Sequence, residues 1–531
     1  MRRGVVVALL AGLCTHRAGA HAAAEAARCA APFPPVDCLV PGAAPAARTG
    51  PPPVRAAAAA APARVDRTRT ATQAALPASR EALFGDAAAP VASVAATAAV
   101  ADASAPDATR EALFGAAAPT PRAPAGGRPS VRGFVQFAPA YTYASPSHWS
   151  RAVVRAQAEA SGQLGAGVKY KASLRADLDP VYMTSNFYPD PVREDQRAQL
   201  QVRETYLDFA LPGAWEMRVG RQQIVWGEVV GMFVADVVSA RDLRDFILPD
   251  FEILRIPQWA ARAEYFGSDW HGELVWIPLP SYDDIGKPGA EFYPFPIPAT
   301  PGLAQKVLDD RKPAQSLGNT NYGARASRLV RGWDLSGFYY TSMSTSPTLY
   351  RTLELSPAPA VVFEPRHDRI HQAGATLTKD FGRVVLRAEG VYTAGRSYEI
   401  TNTARAQSAV RQDTLDYVVG LDFMLPSDGR LNLQTFQRYF LDHDADIAYD
   451  AIETGVSVLV SAKVTPTVEP ELLWIQSLSS SDRLVRPRVN WAIDSRLAAR
   501  LGVDVFDGPQ YGVFGRFRDR DRIYAELRYA F

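Results

Sequence analysis

From about residue 130 to the end, apolar and polar residues alternate with a period of two. In Arg522 to Phe531 the odd positions are Ile523, Ala525, Leu527, Tyr529 and Phe531, and Arg522, Glu526 and Arg528 fall between them. The same pattern sets Val168, Tyr170, Ala172, Leu174 and Ala176 against Lys169, Lys171, Ser173, Arg175 and Asp177. It sets Val485, Pro487, Val489 and Trp491 against Arg486, Arg488 and Asn490, and it recurs through Leu415, Tyr417, Val419, Leu421 and Phe423. Such alternation predicts β-strands with two chemically different faces. Soluble antiparallel sheets alternate as well. Here the polar face carries several charges on successive strands, so it needs a wet lumen and the apolar face needs lipid.

Turn residues divide this region regularly. Short turns are expected near 162–167, 212–213, 267–269, 331–332, 380–383, 426–430, 465–467 and 494–495. Longer connections are expected near 143–150, 179–196, 227–256, 278–320, 343–367, 396–410, 442–449, 477–482 and 508–519. Eight short turns alternating with nine longer loops make 18 strands, or 16 if two of the weaker ones fail. The expected fold is therefore a transmembrane antiparallel β-barrel over 128–531, with short periplasmic turns and longer external loops.

The first 127 residues read differently. Residues 1–24 have Arg2 and Arg3, a short apolar core and small residues with A-x-A spacing, the three parts of a secretory signal. Residues 25–127 are dominated by Ala and Pro, with too few large apolar residues to form a core, so a low-complexity periplasmic arm is expected. Within the arm, Ser79–Gly85 and Thr109–Gly115 repeat one heptapeptide. Its Arg80, Leu83 and Phe84, matched by Arg110, Leu113 and Phe114, make a candidate docking motif for a periplasmic or inner-membrane transport partner. The alternative is a duplicated spacer. Cys29 and Cys38 are candidates to form a disulfide in an oxidising compartment.

Composition alone misleads. A chain of 531 residues suggests about three domains, and a mean hydropathy of -0.12 suggests a soluble protein. After the first few residues there is no run of about 18 apolar residues, which excludes a helical membrane protein but not a barrel. The net charge of +1 argues against nucleic acid as a partner.

Residues 1–127 hold 12 Lys/Arg and 8 Asp/Glu, leaving 45 and 48 for the rest. The polar strand faces nevertheless look rich in base, with Arg155, Lys169, Lys171, Arg175, Arg218 and Arg262 in the first half. Arg325, Arg387, Arg438, Arg486, Arg488, Arg500, Arg522 and Arg528 follow. Carboxylates that rebalance them fall partly on the same faces, at Glu216, Glu264, Glu389, Glu469, Glu471, Asp504 and Glu526, and partly in the loops. Rings of Arg and Lys select anions in pores, so a modest anion preference is expected. The alternative is that these charges pair across strands and hold the barrel's shape.

Gly227 to Pro257 is too apolar to lie free in water, with Met232, Phe233, Phe246, Ile247 and Leu248 among its residues. It is expected to fold into the barrel mouth as a constriction, with a short helix over Ala235 to Leu243. An external flap or an oligomer contact is the other reading. The connection from Pro278 to Leu317 offers Tyr282, Phe292, Tyr293 and Phe295, either to guide an amphipathic substrate or to pack on one another or on lipopolysaccharide.

The segment Gly220-Arg221-Gln222-Gln223-Ile224-Val225-Trp226-Gly227-Glu228, followed by Asp242, Arg244, Asp245 and Asp250, resembles a large uncharacterised family of proteobacterial outer-membrane barrels. That family is similar in type to alginate-export porins. The aromatic third from last, Tyr529, and the terminal Phe531 resemble the closing-strand signal read by the barrel-assembly machinery. The resemblance implies an outer-membrane location amid lipid and lipopolysaccharide, and envelope transport of a hydrophobic or polymeric product. Trp226-Gly227 would be the corner where the fifth strand turns inward, with Gly227 permitting the bend and Glu228 pairing with a lumen Arg.

Other classes fit less well. No G-x-S-x-G, phosphate loop or metal-spaced cluster is present, so no catalytic residues, metal or cofactor are implied. His367, Asp368 and His371 sit close in sequence, a spacing more often incidental than metal-binding. An autotransporter should carry a long β-rich passenger in place of the Ala/Pro arm. A closed structural or receptor barrel remains the main alternative to a porin or export channel.

Overall fold

The computed structural model describes residues 129–531 apart from 166, 230, 296–302, 357 and 427. The signal region, both heptapeptides with Arg80, Leu83, Phe84, Arg110, Leu113 and Phe114, and the Cys29/Cys38 pair lie outside the described residues.

Eighteen strands form one closed antiparallel sheet. The first nine are β1 (Ser130–Thr142), β2 (His148–Gln163), β3 (Lys169–Leu178), β4 (Ala198–Ala210), β5 (Trp215–Gln222), β6 (Gln258–Phe266), β7 (Trp270–Leu279), β8 (Asn321–Val330) and β9 (Trp333–Met343). The second nine are β10 (Arg369–Asp380), β11 (Val384–Glu399), β12 (Ala409–Leu425), β13 (Gly429–Phe440), β14 (Ile452–Ser461), β15 (Val468–Ser477), β16 (Arg483–Ala492), β17 (Leu497–Asp507) and β18 (Arg522–Ala530). Each pairs with its neighbour in sequence, and β18 returns to pair with β1. The expected eight short turns and nine longer connections join them, and both ends of the sheet lie at the short-turn end.

The alternation read from sequence is the inside–outside alternation of the wall. Leu174, Leu421, Val489, Leu501, Ile523 and Leu527 are exposed on the outer face, and Arg175, Arg486, Arg488, Asp504 and Arg522 are buried on the inner one. Aromatic residues mark both ends of the outer face, as they do at membrane interfaces. At the short-turn end Trp215 packs edge-on against Tyr265 at 5.1 Å, and Tyr265 stacks on Trp270 at 4.6 Å. At the long-loop end Tyr141 meets Trp149 at 5.3 Å.

Closure depends on a glycine. Gly133 and Phe531 exchange both backbone hydrogen bonds, at 3.0 and 2.9 Å. A Cβ on Gly133 would lie 2.5 Å from Phe531 Cζ and 2.5 Å from the Gln157 carbonyl oxygen. The terminal ring therefore rests on a position that only glycine leaves open, and Tyr529 pairs with Val135 beside it.

The long connections hold structure that alternation does not reveal. Ala304–Val307, Thr348–Glu354 and Ala360–Arg366 form a separate three-stranded sheet at the long-loop end.

Gly133→Val should clash with both Phe531 and the β2 backbone, costing about 1–3 kcal/mol and lowering the urea midpoint of refolding into lipid vesicles. A midpoint equal to that of the unchanged protein would contradict this account of closure.

Candidate functional site

The fifth strand stops early. At eight residues β5 is shorter than β4, and it ends at Gln222, whose amide donates to the Arg218 and Ala260 carbonyls at 3.3 and 3.1 Å. From Gln223 the chain leaves the wall, crosses the lumen and rejoins it at Gln258. Its apolar residues divide between opposite walls. Ile224, Trp226, Ala235 and Val238 pack on inward residues of β6, β7, β9 and β11, such as Ile277, Phe338 and Val391. Met232, Phe246, Ile247 and Leu248 pack on Val418, Phe436, Leu473, Leu484 and Phe506 of β12 to β17. Inward apolar residues on a wet-lumen strand are thus the seats of this segment.

Polar contacts fix it around the circumference. Trp226 is fully buried, donates from Nε1 to Glu273 of β7 at 3.1 Å, and packs on Phe338 and Tyr340. Glu228 accepts from Arg325 of β8 at 2.9 Å and from Thr376 and Thr378 of β10 at 3.1 and 2.7 Å. The buried Glu389 carboxylate of β11 accepts the backbone N–H groups of Glu228, Val229 (2.7 Å) and Ala235 (2.8 Å). On the opposite side Arg151 holds Asp245 at 2.7 Å, Arg500 holds Asp250 at 3.1 Å, and Arg486 donates to the Leu248 carbonyl at 2.9 Å. Arg203 of β4 donates to the carbonyls of Glu252 and Arg255, both at 2.7 Å. Asp242 binds Arg244 at 2.6 Å, which also reaches Asp284, and lies 3.8 Å from Arg175.

Two local expectations are corrected. Ala235 to Leu243 is not helical. Its N–H groups are taken by carboxylates, Ala235 by Glu389 and Arg241 by Asp283 at 2.7 Å, and Ala240–Arg241 pairs with Arg255–Ile256. A helix would have to surrender the Arg241 bond and that pairing, because its Arg241 N–H would turn to the Val237 carbonyl. Gly227 does not take a positive φ. It supplies space, since a Cβ there would lie 3.0 Å from the Asp236 nitrogen and 3.3 Å from Glu389. Positive φ is found instead at Gly220, with φ 132° and a Cβ position 2.4 Å from the Thr205 carbonyl oxygen, and within the segment at Gly231 and Phe246.

The lumen bases come with counter-ions. Arg155 pairs with Asp177, Lys171 with Glu159 and Glu204, Arg218 with Asp208, and Arg262 with Glu264 and Glu273. Arg387 pairs with Asp422, Arg438 with Asp416, Arg486 with Asp504, Arg488 with Glu471, and Arg500 with Glu526. Arg175 lies 3.4 Å from Asp177, and Arg528 sits 3.7 Å over the Phe134 ring. Lys169 is exposed at the short-turn end of β3. Counted with these partners, the inner face is a lattice of ion pairs, the alternative left open by the sequence.

Arg151, Arg203 and Glu273 escaped sequence reasoning. Register shifts at Ala140/Tyr141 and Ala172/Leu174 break the alternation near the two arginines. In β7 the inward Val275 and Ile277 flank outward Trp276, so both faces look apolar around Glu273.

A cavity of about 50 Å³ lies between the inserted segment and the β9–β13 wall. Phe233, Val234 and Val237 line it on one side, and Ser342, Gln372, Thr393, Arg396 and Arg438 on the other. The histidines do not converge: His367 turns to Ser344 and Asp310, whereas His371 meets Tyr339 on the outer face. Among the connection aromatics, Phe292 packs into the Phe246–Phe506 cluster and Tyr293 on Phe295.

No protein-family model and no curated protein matches this sequence. Solved structures with a similar barrel include Salmonella typhi OmpF in complex with daunomycin (9% identity, 76% of this chain and 98% of that chain, TM-score 0.41). An anion-selective porin from Comamonas acidovorans gives 11% identity, 76% and 99% coverage and a TM-score of 0.39. Acinetobacter baumannii OccAB4 gives 9%, 76%, 98% and 0.46. At such low identity none of their residues maps onto this chain.

Glu389→Ala removes the acceptor of three amide donors, each costing about 1–3 kcal/mol when left unsatisfied. Hydrogen exchange at residues 228–236 should rise at least about tenfold while exchange in β12 to β14 stays constant. Equal exchange in both proteins would remove Glu389 as the anchor.

Proposed function

We propose that this barrel is an outer-membrane channel for small amphipathic solutes, narrowed by the segment between Gln222 and Gln258. The observation that carries the reading is the course of that segment, which leaves the wall, spans the lumen and is tied to strands on every side. A barrel of 18 strands has a lumen too wide for its own side chains to fill. A fixed inward segment is the economical way to turn that width into a defined passage.

The ion-pair lattice shifts the electrostatic expectation. Charges neutralised within a few ångströms contribute little field to a permeating ion, so selectivity comes from the lining of the remaining gap. One such gap, beside the segment, is lined by Arg241, Arg396 and the Arg438–Asp416 pair opposite an apolar strip of Phe233, Val234 and Val237. Such a lining, polar on one side and apolar on the other, suits a small amphipathic solute, with at most the modest anion preference expected from the sequence.

A second reading draws on the two apolar clusters that seat the segment. With both walls engaged, the resting barrel would pass water and very small solutes, and larger ones only after the segment shifts.

Single-channel recording of the full chain in planar bilayers tests both. The expected result is a small conductance with a weak anion preference, and a several-fold larger conductance after deletion of residues 230–252, with heat-modifiability confirming a folded barrel. No conductance in either form would reject the channel. Clear cation selectivity would reject the anion preference.

A further inference from the structure

Two buried histidines at the long-loop end share an arrangement that nothing in the channel reading uses. His148 has Nδ1 2.7 Å from the Pro146 carbonyl oxygen and Nε2 2.9 Å from the Glu291 carboxylate. His367 has Nδ1 2.7 Å from the Ser344 carbonyl oxygen and Nε2 3.0 Å from the Asp310 carboxylate. Both side chains are at most 6% exposed. A carbonyl and a carboxylate are acceptors only, and a neutral imidazole has one N–H. Neither tautomer satisfies both contacts, and in either one a ring lone pair faces an oxygen. Only the doubly protonated ring donates to both.

The two carboxylates belong to the same connection, between β7 and β8. Glu291 lies in its first described stretch (280–295) and Asp310 in its second (303–320). The first stretch covers the inserted segment. Asp284 and Leu243 are joined by a 2.7 Å backbone bond, Asp283 accepts the Arg241 amide, and the Phe292 ring packs 5.7 Å from Phe506 and 6.3 Å from Phe246. Glu291 and Phe292 are consecutive, so holding the carboxylate holds the ring.

We propose that protonated His148 and His367 clamp the two described stretches, 280–295 and 303–320, in place, making their hold sensitive to pH. The neighbours of each ring are consistent with a positive charge. Around His148, Phe187 stacks on the ring at 3.7 Å, and Tyr188 and Thr142 donate to Glu291, both at 2.8 Å. Arg520, 3.7 Å from Glu291, is the competing cation. Burial pushes the Glu291 carboxyl up, but the bonds from His148 and Thr142 and the charge of Arg520 outweigh it and hold the group below the usual carboxylate range. Around His367, the Tyr282 ring lies 4.3 Å away. The charged neighbours in sequence point elsewhere, Asp368 to the Tyr350 hydroxyl and Arg369 to the Thr320 and Gly318 carbonyls. The sign follows: both clamps are complete while the rings carry two protons, and each loses a bond when its ring loses one. Both stretches are then held less tightly as the medium becomes more alkaline.

Hydrogen exchange of the full chain in lipid vesicles, corrected for the intrinsic pH dependence of exchange, tests this at pH 5.5 and 8. Protection of residues 283–295 should fall about tenfold or more at the higher pH, the scale of a charge-assisted hydrogen bond, with β12 to β14 unchanged. The His148→Gln/His367→Gln double variant should lose that difference. If it folds poorly, Glu291→Gln and Asp310→Asn remove the same contacts from the other side. Protection independent of pH in the unchanged protein, or a dependence that survives in the variants, overturns the clamp. Its effect on current rests on the channel reading, which recordings at the same two pH values separate. Exchange that responds to pH with no conductance at either pH keeps the clamp and rejects the channel.

Discussion

Within a bilayer a strand can satisfy its N–H and C=O groups only on another strand, so the sheet must close on itself. Much of what is distinctive here follows from that constraint. Closure requires β18 to lie against β1, and it is completed at Gly133, where the absent side chain lets the Phe531 ring sit across the seam. Closure at 18 strands also sets a circumference whose interior the wall's own side chains cannot fill. The segment after Gln222 resolves that second consequence, and its length explains why β5 is short: residues that would have extended the strand are used to cross the lumen.

The inward crossing accounts for the placement of buried charge. Removing one member of a buried pair is costly, whereas a complete pair adds little net stability and much geometric definition. Asp245 with Arg151 and Asp250 with Arg500 fix where the crossing chain meets the wall, and Glu228 with Arg325 fixes where it leaves. Glu389 acts differently. Its partners are peptide N–H groups of an irregular backbone, so it takes the place that a following helical turn or a neighbouring strand would have filled. This is why the segment can remain irregular inside a barrel without orphaned donors at that bend.

The architecture was largely legible in the sequence because lipid and lumen impose opposite demands on adjacent residues. Leu174 beside Arg175, or Leu527 beside Arg528, has one reading on a strand, and turn spacing then gives the count. The interior was less legible. An alternating base such as Arg486 reveals its direction but not its partner, since Asp504 and Leu248 arrive from a neighbouring strand and from 238 residues away. Lumen bases therefore looked unbalanced until their carboxylates were placed. Where the wall must seat the inserted segment, inward residues turn apolar, as at Val275 and Ile277, and the period-of-two signal fades there.

The inserted segment and the β7–β8 connection behave as one unit built in two storeys. Leu243 and Arg241 below meet Asp284 and Asp283 above through backbone and carboxylate bonds, and Phe292 reaches down into the cluster that seats Phe246. The lower storey is fixed mainly by arginine–carboxylate pairs, such as Asp245 with Arg151 and Asp250 with Arg500. The upper storey is fixed in part by the contacts of His148 with Glu291 and of His367 with Asp310. A disturbance of the upper storey thus reaches the inserted segment only through the Leu243–Asp284 and Arg241–Asp283 bonds and the packing of Phe292.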